Sequence, residues 1–250
     1  MTTTTCPNPP TTATESAWLT RLRLNTAHRA VQRDLGNAAA LHRRVMTLVP
    51  DDLGDSPRSR AGILFRLDDD GSGTPVLLVQ SRIAPDTARL PHGYAQTQTK
   101  DMRTLITALR PGLRVRYRLL GNAVRRCGRN STEGRWKQAI PLHGEEADRW
   151  WGERATIAGL LVHTVRSEPC EPLTAWHHTG EQPGTQGQPT KTGRKHRKDT
   201  VLVPHQATQF EGTATVHDAD ALRHALLHGI GRSKSYGCGL LSLAPAGHES

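Results

Sequence analysis

Between Gly229 and Gly239 the chain reads GIGRSKSYGCG, with four glycines, an arginine and a lysine in eleven residues. Glycine lets a backbone turn freely and brings its N–H groups close to a ligand. Arg232 and Lys234 add positive charge. Gly229, Gly231, Arg232, Lys234, Gly237 and Gly239 are therefore candidates for gripping a phosphate backbone. The segment runs from helix into strand, and the spacing GxxxxGK[ST] is absent, so neither a Walker nor a Rossmann loop fits. A plain connection with two solvated cations suits these residue types equally well.

Two further stretches concentrate charge. Arg114, Arg116, Arg125, Arg126 and Arg129, followed by Arg135 and Lys137, form an Arg-rich segment whose alternative reading is a solvated loop. Residues 179–200 hold Gly, Pro, Gln and Thr and then Lys191, Arg194, Lys195, Arg197 and Lys198. No core can form there, and a mobile basic loop is expected.

The chain has 13 histidines. An imidazole titrates near neutral pH and can take or give a proton. His28 is expected in a loop after the first strand. His42 follows the core position Leu41 and lies at the margin of a buried stripe. His177, His178 and His196 lie in or near the basic loop and read as solvated. Cys6, Cys127, Cys170 and Cys238 form no CxxC pair, so neither a zinc knuckle nor a disulfide framework is indicated. No metal and no cofactor is expected.

Bulk composition points to the same partner class. Lys plus Arg number 33 and Asp plus Glu 23 in 250 residues, a net charge of +10 and a pI near 10.1. Such a balance favours polyanions. Aromatic residues are 4%, too few for extensive base stacking, which favours backbone and shape contacts. No run of about 18 apolar residues exists, so no membrane span is expected. Residues 1–16 lack both a basic start and an apolar stretch. They read as a disordered tail rather than a secretory signal, and a cytoplasmic protein is expected.

Periodicity supplies the elements that must position these groups. Trp18 to Leu24 alternates as a strand. Asn37 offers an N-cap, and Ala38, Leu41, Val45 and Leu48 give the stripe of a helix ended near Pro50. Ile63–Leu67 and Val76–Gln80 flank DDDGSGT, a hairpin signature. Tyr94 to Leu109 must supply the rest of a first half, without a second helix that can be placed. Pro111-Gly112 is a break. After it come a strand from Leu113 to Leu119, a helix over residues 145–159, strands at Leu160–Val165, Val201–Val203 and Thr213–Val216, a helix from Asp218 to Leu227, and a last strand, Leu240–Leu243.

GIGRSKSYGCGLLSLAP, Gly229 to Pro245, resembles the C-terminal signature GxGxxKxxGxGLLxLxP of the CasE endoribonucleases of type I-E CRISPR systems, part of the RAMP superfamily. WLTRLRLN (Trp18 to Asn25), RDLGN (Arg33 to Asn37), LHR (Leu41 to Arg43), YRLLGNAVRR (Tyr117 to Arg126) and FEG (Phe210 to Gly212) are similar to other family segments. Ala123 stands where the family has Pro. The resemblance implies an α+β chain of two tandem ferredoxin-like (βαββαβ, RRM-like) domains, at 17–109 and 110–250, the second carrying the loops at 179–200 and 229–239.

It also implies metal-independent cleavage of a CRISPR repeat hairpin in precursor crRNA. The 2′-OH attacks the neighbouring phosphate, leaving a 2′,3′-cyclic phosphate and a 5′-OH, and the crRNA stays bound within Cascade beside its other subunits. The free protein is expected to be monomeric. His42 matches the family's catalytic His, with Arg43 beside it on the RNA. A family Lys near the cleaved phosphate corresponds to Lys195 or, preferred here, Lys198. Many members carry a Tyr three residues before the His. Here that position is Ala39, and Tyr236 is the conceivable substitute. A non-catalytic RNA-binding subunit of the same fold is the alternative.

Overall fold

The computed structural model describes residues 16–69, 71–130, 132, 138–178 and 200–246. In chain order the first half holds β1 (Trp18–Leu24), α1 (Arg29–Leu35), α2 (Ala38–Met46), the single-turn α3 (Pro57–Arg60), β2 (Leu64–Asp69), β3 (Pro75–Ser81), β4 (Ala95–Asp101) and α4 (Arg103–Ala108). The second holds β5 (Arg114–Gly121), the short β6 (Val124–Arg126) and β7 (Ala139–Pro141), α5 (Glu145–Ile157), β8 (Leu160–His178), β9 (Thr200–Val216), α6 (Ala219–His228) and β10 (Leu241–Pro245).

Two antiparallel four-stranded sheets result, in the orders β2-β3-β1-β4 and β10-β5-β9-β8. Each reads fourth-first-third-second among its own strands, the ferredoxin-like order. The expected α+β class with two tandem ferredoxin-like units holds. The second unit is complete, with α5 and α6 as its crossovers. In the first, the connection from β3 to β4 has only a 3-10 turn at Thr87–Arg89. Pro85 and Pro91 bracket that turn and leave no room for a helix.

Three other expectations change. The segment after His28 is a helix, α1, not a loop. The strand expected at Leu160–Val165 runs on to His178. Val201–Val203 and Thr213–Val216 are parts of one strand, β9, that pairs with β8 along most of its length. Register shifts at Val162/Thr164 and Cys170/Leu173 interrupt the alternation that would have announced long strands. Gly212 is needed at the first of these, because a Cβ there would lie 1.9 Å from the Thr164 carbonyl oxygen.

Each sheet buries one face. Leu22, Leu24, Leu77, Val79 and Phe65 pack on Val31 of α1 and Leu41 and Val45 of α2. Tyr117, Leu119 and Phe210 pack on Trp150 and Trp151 of α5 and Leu222 and Leu226 of α6. The opposite faces carry Arg66 and Leu78 on one sheet and Arg116 and Arg118 on the other, and they line a groove of about 730 Å³.

A buried arginine ties the halves together. Arg66, 1% exposed, uses all five of its N–H donors. Nε and Nη2 donate to the two Asp68 carboxylate oxygens at 2.7 and 2.9 Å. Nη1 donates to the carbonyls of Arg118 (3.2 Å) and Leu240 (3.1 Å), and Nη2 also donates to Ser242 Oγ (3.0 Å). Gln80 Nε2 adds a buried bond to the Leu226 carbonyl at 2.7 Å. These contacts fix α6 and the segment after it relative to β3 and β2.

Candidate active site

α2 begins as its sequence demands. Asn37 has extended backbone, and its Oδ1 accepts from the amides of Ala39 (3.0 Å) and Ala40 (3.3 Å). A second lock holds the helix from behind. Asp34 of α1, 1% exposed, accepts from Arg44 Nε of α2 at 2.8 Å and from the Tyr94 hydroxyl at 3.2 Å. With Leu41 and Val45 turned into the core, His42 falls at the edge of the buried stripe.

The His42 ring is half-buried and stacks on Phe65 of β2, with centroids 6.2 Å apart and planes 25° apart. Its Nδ1 is buried and has no hydrogen-bond partner among the described residues. Burial first, then the charges of Arg58 and Arg43, hold its pKa below the ordinary 6.5. The neutral imidazole therefore persists below that pH. A neutral imidazole can accept a proton, which is what a general base must do.

The glycine-rich segment meets this helix. Its 3-10 turn, Lys234–Tyr236, packs against both α2 and β2. Gly237 backs onto Phe65, the ring under His42: a Cβ there would be 3.4 Å from it. Gly229, Gly231, Gly237 and Gly239 all have positive φ, as does Ser233. Gly229 and Gly239 are also sterically required. A Cβ would sit 2.6 Å from Leu64 at the first and 2.8 Å from the Ile230 carbonyl at the second. These two glycines therefore have a reason to be glycine that needs no ligand.

Lys234 is half-buried and donates to the His228 carbonyl at the end of α6, at 2.8 Å. Burial and then Arg58 lower its pKa. Arg232 is exposed on the same loop. Burial raises the pKa of Tyr236, whose phenol keeps its proton at neutral pH.

The other predicted residues fall into separate places. Arg125 and Arg126 lie on β6, with Arg129 in the turn beyond. Asn122, just before β6, donates from Nδ2 to Ser233 Oγ at 2.6 Å and so joins this ribbon to the glycine loop. Arg43 is exposed next to His42. Arg114 and Arg116 are not brought to His42. They project from the face of β5 opposite the core residues Val115 and Tyr117, and Arg116 lines the groove between the sheets. Lys198 and Lys195, with the rest of 179–199, lie outside the described residues. β8, which leads into that segment, packs against α2.

His28 is the N-cap of α1, its Nδ1 accepting from the Ala30 amide at 3.1 Å. That gives His28 a structural role at the start of α1. Arg58, which acts on both His42 and Lys234, escaped the sequence reading. The available signal was Ser56-Pro57, a helix-start pattern that places Arg58 on α3. Among the described residues no group of three or more His, Cys, Asp or Glu is arranged to hold a metal ion. No helix among them is long and apolar enough to cross a membrane.

The family model described as CRISPR associated protein matches residues 17–245. The CRISPR-associated endoribonuclease Cse3 of Thermus thermophilus is 32% identical over 229 residues, 91% of this chain and 100% of that protein. The CRISPR system Cascade subunit CasE of Escherichia coli (strain K12) is 28% identical over 224 residues, 87% and 95% of the two chains. A solved structure of Cse3 bound to a 19-nucleotide RNA superposes with a TM-score of 0.70 at 30% identity, covering 92% of this chain and 98% of that one. Thermus thermophilus Cse3 bound to an RNA representing a pre-cleavage complex gives 0.69 at 29% identity, covering 92% and 100%. With its signature loop seated on the helix of His42 and its length matched almost end to end, the chain belongs to the CasE (Cse3) family of CRISPR-associated proteins.

Proposed function

We propose that this protein is an endoribonuclease that cuts the repeat hairpins of a CRISPR precursor transcript and keeps the resulting crRNA as a subunit of a Cascade complex. The relatives support the reading: one is named an endoribonuclease and solved on RNA, and another is named a Cascade subunit. The observation that carries the chemistry is the half-buried imidazole of His42, its Nδ1 without a partner among the described residues, on the helix against which the glycine-rich loop packs.

In this reading His42 takes the proton from the 2′-OH next to the scissile phosphate. The 2′-oxygen bonds to phosphorus, the bond to the 5′-oxygen breaks, and the leaving oxygen takes up a proton. The products are a 2′,3′-cyclic phosphate and a 5′-OH. Tyr236 remains protonated on the turn that packs on α2 and is our candidate donor to the leaving oxygen. Lys198 keeps the role the resemblance implies, charge stabilisation at the phosphate. A-form RNA hides its major-groove edges, so shape and phosphates must be read. We assign the grip to Arg43, Arg232, Lys234, the loop amides, and Arg125, Arg126 and Arg129 of the ribbon that Asn122 joins to the loop. Arg114 and Arg116 would contact RNA only where the strand passes to the open sheet faces. The division near residue 110 and a cytoplasmic location complete the proposal.

The test is single-turnover cleavage of the cognate repeat hairpin with and without EDTA. His42→Ala should slow it by roughly 10²–10⁴-fold, the range for a positioned acid or base. A 2′-deoxy substitution at the scissile nucleotide should abolish cutting. Ala39, which leaves α2 without the family tyrosine, favours the non-catalytic alternative. That alternative is established instead if the wild-type protein binds the hairpin tightly and releases no cut product.

A further inference from the structure

Arg58 occupies a place that its sequence neighbourhood does not explain. It lies on the single-turn α3, where Pro57, Ser59 and Arg60 are exposed, yet it is itself half-buried. Its Nη1 donates to the Ile63 carbonyl at 3.2 Å. The guanidinium is thereby pinned at the start of β2, two residues before Phe65, and Phe65 stacks on His42. From there its charge acts on two groups from other parts of the chain, His42 on α2 and Lys234 on the glycine loop.

Arg43 follows His42 on α2, Arg58 is bonded at the start of β2 and Lys234 lies on the turn packed against both elements, and no ion pair holds any of the three among the described residues. Elsewhere most buried or half-buried arginines meet an acid, Arg44 with Asp34, Arg66 with Asp68, Arg118 with Glu211 and Arg223 with Asp220, while Arg82 meets the His228 ring instead. Holding Arg58 and Lys234 half-buried near each other, with the exposed Arg43 beside them and without an acid, is unfavourable until an anion arrives. The anion that the reaction brings to His42 is a phosphodiester.

We propose that Arg58 is a catalytic residue: with Nη1 committed to Ile63, its remaining donors bind the non-bridging oxygens of the scissile phosphate next to His42. This deepens the reading given above and rests on it. In the step itself the attacking 2′-oxygen adds to phosphorus before the 5′-oxygen has left, and the non-bridging oxygens gain negative charge. A guanidinium held there in advance stabilises that charge more than the ground state, which is the condition for raising the rate and not only the affinity. With Ala39 in place of a tyrosine, α2 itself offers the phosphate His42 and Arg43.

Arg58→Gln and Arg58→Lys test this, with the full chain in excess over repeat hairpin. Glutamine can still donate to Ile63 but carries no charge, so a purely structural role survives it. Loss of a transition-state donor should slow single-turnover cleavage about 10²–10³-fold. Binding of a 2′-deoxy, uncleavable hairpin should weaken less than the rate falls, and lysine should recover part of the rate. The acid midpoint of the pH–rate profile should also move upward in Arg58→Gln. The charges acting on the His42 ring are Arg58 and Arg43, and removing the first relaxes it toward its ordinary value. Lys234 and Tyr236, on the turn packed against α2, are unchanged. Cleavage by Arg58→Gln within threefold of wild type overturns the proposal. So does a loss that appears wholly in hairpin affinity, or as a lowered melting temperature with an unmoved pH midpoint. His42→Ala run beside these variants separates the two claims. If it is inactive while Arg58→Gln is not, only Arg58 is wrongly assigned; if it cleaves normally, the reading beneath has failed.

Discussion

Replacing Arg66 by Met should uncouple the active site without touching it. The side chain is 2% exposed and its partner Asp68 9%, so Arg66→Met strands a carboxylate that has little water to turn to. It also removes the donors to the carbonyls of Arg118 and Leu240 and to Ser242. Arg118 approaches Asp68 only to 3.9 Å and is already paired with Glu211, so it compensates little. Breaking a buried pair by removing one member costs about 3–5 kcal/mol. For a chain of this size each kcal/mol lowers the melting temperature by roughly 2–4 °C, so a fall on the order of 10 °C is expected. Thermal unfolding followed by circular dichroism measures it. Arg66→Met/Asp68→Leu should restore most of the loss, since an apolar pair of similar volume avoids the unpaired charge. A fall below 2 °C in the single variant, or a double variant no better than the single, refutes the argument. Cleavage should fall with stability, because Arg66 joins β2, which carries Phe65 and supports His42, to β10, which anchors the glycine loop.

The pH dependence of cleavage at subsaturating RNA reports groups of the free enzyme. A base must be deprotonated, and His42 is held below 6.5 by burial, Arg58 and Arg43, so the acid midpoint should lie below 6.5 and the rate should be flat through pH 7. A midpoint above 7 contradicts that environment. Gly239→Ala places a Cβ 2.8 Å from the Ile230 carbonyl at φ +92°. Strain of about 1–3 kcal/mol is expected, visible as a lowered melting temperature together with weaker hairpin binding. Asp34→Ala leaves Arg44 and the Tyr94 hydroxyl without their acceptor behind α2. It should cost about 3–5 kcal/mol and slow cleavage at saturating RNA, measured by melting and single-turnover assay.

Local signals in the sequence were reliable where the physics is local. Asn37 caps α2 as its type and place require, and DDDGSGT turns β2 into β3, Asp69 accepting from the amides of Gly71 and Gly73. The glycine loop could be read from composition and from its family signature. What could not be read depends on distant partners. Arg66 looks like an ordinary polar residue in a strand, and its reason for being there lies 52 to 176 residues away, in Arg118, Leu240 and Ser242. Arg58 sits in DSPRSR, a segment that reads as a polar loop, until Ile63 and the approach of the glycine loop give it a position. The length of β8 and β9 was hidden because two register shifts break the period-two pattern that identifies strands.

That difference bears on how the site is assembled. His42 and Arg43 come from α2, Arg58 from α3, and Lys234 and Tyr236 from a turn nearly two hundred residues further along. None of these elements is long enough to hold its side chains by itself: α3 is one turn, and the loop has five residues with positive φ. The precision has to come from what stands behind them, namely Asp34 with Arg44 for α2, the Arg58 bond to Ile63, and Arg66 and Gln80 across the two sheets. A charge-stabilising cation is most effective when already in place as the reaction starts, since moving it there would use up what it contributes. The buried polar bonds between the halves therefore act on rate as well as stability. Loosening them should lower cleavage at saturating RNA more than it lowers affinity for the hairpin, because the phosphate contacts we propose for Arg43, Arg125, Arg126, Arg129 and Arg232 would tolerate small displacements and an in-line attack does not.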